Sequence, residues 1–197
     1  LSMSLVNALY NLQLMKIAGE NGVAAYGAVM YVNFIFVATF LGYAIGCAPV
    51  ISYHYGAGNY AELKNLYKKS MSIILVWGGI LFGAAQLLAP VLSKIFVGYN
   101  AGLYAMTLHG FRIFASAFLL IGINIFGSSF FTALNNGLIS AVISFLRTLV
   151  FQVIMVLTLP IWFGIDGIWS AISVAEALTL IMTATFFVRQ KDKYHYL

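Results

Sequence analysis

Apolar positions come in six long blocks separated by short polar breaks. The blocks cover residues 1–18, 23–51, 67–96, 106–134, 138–163 and 167–188. A bilayer core about 30 Å thick needs about 20 apolar residues at a helical rise of about 1.5 Å each. The blocks therefore predict six transmembrane helices. The spanning alternative, a closed barrel, uses alternating strands of about 10 residues, and these runs are too long and too uniformly apolar for that. The breaks have turn chemistry. Gly19-Glu20-Asn21-Gly22, Gly56-Ala57-Gly58-Asn59, Gly98-Tyr99-Asn100, Asn135-Asn136-Gly137 and Gly164-Ile165-Asp166-Gly167 each join two runs. Such short connections predict sequential antiparallel helices. Pro49 is expected to kink the second run, and Gly42-xxx-Gly46 and Gly79-xxx-Gly83 are expected to bring helix backbones together.

Composition agrees with lipid as the main solvent. Only 8% of residues are charged and 62% are hydrophobic, where soluble domains carry about 25% charge. The net charge of +5 is no nucleic-acid signal, because the basic residues sit at loops and the chain end rather than on one face. Lys64, Lys68, Lys69, Arg189, Lys191 and Lys193 fall on one side of a six-span topology, and Lys16, Lys94 and Arg112 on the other. This bias predicts both termini in the cytoplasm, with residues 189–197 as a basic tail. The lone Cys47 excludes an internal disulfide. The first span starts abruptly at Leu1 without an interfacial flank, which suggests a segment of a longer protein.

Polar residues inside the spans carry the functional information. Asn124, Ser128, Thr132 and Asn135 share one helical face. So do Ser140, Ser144, Thr148 and Gln152 in the fifth span. Ser173, Glu176, Thr179 and Thr183 do the same in the sixth, and Ser4, Asn7 and Asn11 in the first. The second span adds Asn33. Two readings are open: the stripes line a hydrated cavity, or they hydrogen-bond helix to helix at about 0.6 kcal/mol each. Taken together, the four stripes favour a cavity or interface. Glu176 is the one acid deep in any span, and an ionised group there costs on the order of 3 kcal/mol. It is either a proton- or cation-binding carboxylate or a structural one held by a base. Arg147 is expected to snorkel to the cytoplasmic interface, and only a deeper helix would let it reach Glu176. The candidate site residues are thus Glu176, Asn33, Asn124, Gln152, Asn7 and Arg147.

Trp162 and Trp169 are expected at the membrane interface. Tyr26, Tyr31, Phe34 and Phe36 crowd the second span, where an aromatic wall could hold a flat organic cation. His54, His109 and His195 are scattered, so the sequence offers no metal site. The Gly56-Ala57-Gly58-Asn59 turn lacks the Lys and Ser/Thr of a phosphate loop. No arrangement of nucleophile and base suggests an enzyme.

The stretch Ala48-Pro-Val-Ile-Ser-Tyr-His-Tyr-Gly-Ala-Gly-Asn59, followed by Tyr60-Ala-Glu-Leu-Lys64, resembles the MATE (multidrug and toxic compound extrusion) family. Leu146-Arg147-Thr148, Gly164-Ile-Asp-Gly-Ile-Trp169 and Ala175-Glu176 resemble that family's second half in order and spacing. The resemblance implies an all-α integral membrane protein, a six-transmembrane-helix bundle like the C-terminal lobe of a two-lobed transporter. It implies export of small organic cations against sodium or protons by alternating access, with no cofactor, in the cell (inner) membrane. It implies a partner as well: the N-terminal six-helix lobe of the same polypeptide, or a second copy. Some family members place acidic cation ligands in their seventh and tenth helices. The matching first and fourth spans here hold Asn7, Asn11 and Asn124 instead. A lipid-linked oligosaccharide flippase of the same superfamily and a non-transporting assembly subunit are the alternatives. The first needs more cavity cations, and the second needs stripes that close on each other.

Overall fold

The computed structural model describes residues 2–197; Leu1, the expected start of the first run, lies outside them. Five helices are long and apolar enough to cross a membrane. They are α1 (Ser2–Gly56), α2 (Tyr60–Val97), α3 (Ala101–Ala133), α4 (Gly137–Phe163) and α5 (Ile165–Tyr194). Six runs thus map onto five helices, because the first two share α1.

A straight helix as long as α1 would reach about 80 Å, far more than a bilayer core. Gly19 resolves this, with φ 63° and ψ −153°. Tyr10 and Tyr26 stack with ring centroids 5.0 Å apart. The Tyr26 hydroxyl donates to Asn7 Oδ1 at 3.0 Å. On a straight helix these residues would be about 24 Å apart or more. The chain therefore doubles back at Gly19, and residues 2–18 lie beside the following segment. One glycine absorbs the reversal because a positive φ costs it little, so no loop interrupts the helical run.

The other breaks follow the turn chemistry. Asn59, Asn100 and Asn136 cap α2, α3 and α4, their side chains accepting from the amides of Glu62, Leu103 and Ile139 at 3.2, 3.0 and 3.3 Å. Each satisfies a backbone donor that the first helical turn leaves open. Gly164, at φ 57°, turns the chain from α4 into α5. Successive helices are antiparallel, so alternate connections share an end. Asn136 Nδ2 donates to the Tyr194 hydroxyl at 2.9 Å, and Tyr55 meets Tyr194 edge to face at 5.6 Å. That end gathers Lys64, Lys68 and Lys69 on early α2 with Arg189, Lys191 and Lys193 on late α5. The segment expected as a tail continues α5 to Tyr194, and Tyr196 is fully buried, donating to the Phe187 carbonyl at 2.8 Å.

α3 is the central element, packed on by the other four helices. Around it the outward side chains are large and apolar, such as Leu87, Ile95, Leu138 and Ile161. Lipid is the solvent that such a surface requires, and the protein is integral to the membrane. Backbones and rings approach closely at glycines other than those expected. A Cβ on Gly110 would lie 2.4 Å from the Trp169 ring, and one on Gly167 would lie 2.5 Å from the Leu159 backbone. Gly42, Gly46, Gly79 and Gly83 have nothing within 4 Å. Spacing shows which glycines share a face, but only the packing decides which face meets a neighbour. Trp169 is likewise corrected: it is buried against Gly110, while Trp162 is exposed as expected of an interfacial ring.

Candidate functional site

Three long polar side chains meet near mid-depth. Glu176 sits about 16 Å along α5 from Ile165, Arg147 about 15 Å along α4 from Gly137, and Asn124 about 14 Å from the Ala133 end of α3. Arg147 Nε donates to both Glu176 carboxylate oxygens, at 2.9 and 3.2 Å. Asn124 Nδ2 donates to Glu176 Oε2 at 2.7 Å and to the Glu176 backbone carbonyl at 2.9 Å. Arg147 therefore does not snorkel to an interface. Arg147 lies on a π-helical turn, Leu146–Val150, which inserts one extra residue into α4. Such turns change the register of the residues beyond them and recur at functional sites.

The pair is unequally covered. The Glu176 side chain is 2% exposed and that of Arg147 is 18%. A buried carboxylate demands this company, since desolvation penalises an isolated ion by several kcal/mol. Asn124 adds a neutral donor without adding charge.

The pair borders a cavity of about 200 Å³ between both arms of α1 and helices α3, α4 and α5. Asn7, Asn33, Gln152, Arg147 and Glu176 line it, and Asn124 stands directly behind Glu176. All six sequence-derived candidates thus come together. Asn7 accepts from Tyr26, and Gln152 Oε1 accepts from the Tyr10 hydroxyl at 3.1 Å. Asn33 is buried; among the described residues its Nδ2 has only the Met30 sulfur, at 3.9 Å, and its Oδ1 accepts no hydrogen bond. Tyr10 was missed by the sequence reading. It lies three residues after Asn7 on the same face, so extending the polar stripe to hydroxylated aromatics would have found it. Asn11, from that stripe, is exposed and lies off the cavity.

The stripes divide into two uses. Toward the Asn135–Gly137 turn, Ser128 Oγ meets Ser140 Oγ at 2.9 Å and Ser144 Oγ at 2.7 Å, and Thr132 Oγ1 meets Ser140 Oγ at 2.6 Å. These hydroxyls join α3 to α4 and leave nothing for a ligand. Farther in, Thr148, Gln152 and Glu176 face the cavity. Among the described residues no group of three His, Cys, Asp or Glu side chains could hold a metal ion.

A family model, MatE, matches residues 1–158. The chain belongs to the MatE family. MATE proteins are secondary transporters rather than enzymes, and they need no cofactor. No curated protein matches the chain. Solved structures do. An outward-facing multidrug resistance MATE transporter of the MOP superfamily is 21% identical, with a TM-score of 0.90 over 100% of this chain and 44% of its own. A MATE in the straight conformation is 20% identical, with a TM-score of 0.90 and the same coverage. A MOP superfamily transporter from Pyrococcus furiosus, described as having a binding pocket of reverse polarity, is 21% identical, with a TM-score of 0.89 over 98% of this chain and 44% of its own. The chain thus spans less than half the length of the MATE structures that it matches, and at these identities the likeness establishes the fold.

Proposed function

We propose that this chain is one lobe of a secondary-active multidrug exporter that works by alternating access, exchanging small organic cations for sodium or protons. The observation that carries the reading is the Asn124–Glu176–Arg147 cluster, buried near mid-depth at the edge of a lined cavity. Charge in such a place is costly in a structural role alone. A second lobe, in the same polypeptide or as a second copy, supplies the facing wall. The basic end of the bundle faces the cytoplasm of the cell (inner) membrane, as the positive-inside rule requires.

Charge counting supplies the coupling. Among the described residues Glu176 and Arg147 are the two charged side chains on the cavity, and they sum to zero. A proton or sodium ion taken by Glu176 releases Arg147 and leaves the site with one positive charge. An organic cation then meets repulsion, so the two cations exclude each other, as antiport requires. The flippase alternative gains no support: Arg147 lines the cavity, but Arg112 is exposed away from it. The assembly-subunit alternative matches the Ser128–Ser140 cluster and the Ser116–Ser173 contact, but not the polar residues that line the cavity.

The test is dye efflux from vesicles under an imposed proton or sodium gradient. Glu176→Gln, at matched abundance, should abolish gradient-driven efflux. Undiminished coupled efflux in that variant would remove the cluster from the mechanism.

A further inference from the structure

Of the two charged groups that line the cavity, the guanidinium is the more exposed. Both Glu176 oxygens are engaged, and its side chain is almost wholly covered. Arg147 uses only Nε for this pair. Its two terminal nitrogens make no hydrogen bond to the described residues, and the residue lines the cavity. A guanidinium stays protonated, and the edge formed by its terminal N–H groups suits the two oxygens of a planar acid.

A second observation points to the same volume. Asn33 is buried with its Oδ1 unpaired, and it lines the cavity opposite in chemistry to Arg147: an acceptor rather than a donor. The Tyr10–Tyr26 stack and Phe114 complete the wall with ring faces and edges.

We propose that the terminal nitrogens of Arg147 form an oxyanion subsite that holds the acidic group of an aromatic substrate, with Asn33 Oδ1 accepting from a donor elsewhere on it. This rests on reading the cavity as the substrate site and names what that site selects among organic cations: those whose aromatic body also carries a carboxylate, for which a simple aromatic acid is the probe of the oxyanion contact. A lipid headgroup phosphate offers the same oxyanion chemistry, so the experiment separates the two sources.

The protein in phosphatidylcholine nanodiscs is titrated with 2-naphthoate and with its neutral isostere 2-naphthamide. The acid should bind about tenfold tighter, the value of one charge-assisted hydrogen-bonded pair. Arg147→Gln should level the two probes. Arg147→Lys, which keeps the charge and loses the fork, should retain only part of the preference, and it serves if the Gln variant does not fold. Adding phosphatidylglycerol tells the sources apart: unchanged naphthoate affinity assigns the subsite to a soluble acid, and competitive loss assigns the same oxyanion contact to a lipid phosphate and overturns the substrate assignment. Equal affinity for the two probes, or a preference that survives Arg147→Gln, overturns the subsite itself. Binding is read without a gradient, so undiminished coupled efflux in Glu176→Gln together with intact acid selectivity would sink the coupling reading and leave this one standing.

Discussion

Replacing each half of the buried ion pair by Met tests whether Arg147 and Glu176 are coupled as the geometry has them. Arg147→Met strands a carboxylate whose side chain is 2% exposed, with Asn124 as its remaining side-chain donor. Removing one partner of a buried pair costs about 3–5 kcal/mol, because the survivor keeps its desolvation penalty. Glu176→Met strands a guanidinium that is 18% exposed and borders the cavity, so its desolvation is less complete. That variant should cost less, about 1–3 kcal/mol, with Asn124 also losing an acceptor. In the double variant no charge is stranded, and matched apolar replacements for a buried pair are often neutral or stabilising. The double variant should therefore be more stable than Arg147→Met alone. The assay is reversible unfolding in mixed micelles, followed by helicity, on the wild type and the three variants. Additive single costs below about 1 kcal/mol would refute the reasoning, since exposed pairs give that result.

Other regions give sharper contrasts. Gly167→Ala should destabilise by about 1–3 kcal/mol through overpacking, since its Cβ would meet the Leu159 backbone at 2.5 Å; Gly83→Ala, with nothing within 4 Å, should be neutral or slightly stabilising in a thermal melt. Tyr196→Phe removes the hydrogen bond to the Phe187 carbonyl and should cost about 1 kcal/mol. Tyr196→Ala also empties the ring site among Tyr67, Phe130 and Phe187 and should cost about 3–5 kcal/mol, both measured by the same unfolding. The His109–Asp166 contact, 2.8 Å long, joins two half-exposed side chains; Asp166→Asn should cost at most about 1 kcal/mol, and the difference should shrink as salt is raised.

The sequence by itself determined the solvent, the number of apolar runs and the character of the breaks. Long charge-poor blocks have one physical solution, helices in lipid, and Asn59, Asn100 and Asn136 sit where helix starts need side-chain acceptors. It also found the six polar residues that meet at the cavity, because a polar group in an apolar run is costly wherever the helix turns. Tertiary structure decided their partners. Arg147 was expected at an interface because span boundaries set depth only loosely; the π turn and the neighbouring Asn124 fix it on Glu176. Gly19 turned two runs into one bent helix, since φ freedom is a property of glycine but its use depends on what packs on either side. The serine stripes show the limit most clearly. Ser144 and Thr148 look equivalent along the chain, yet Ser144 bonds to Ser128 and Thr148 faces the cavity. Periodicity sets which side chains share a face, and only the approach of a second helix determines whether that face closes on protein or opens on a hollow.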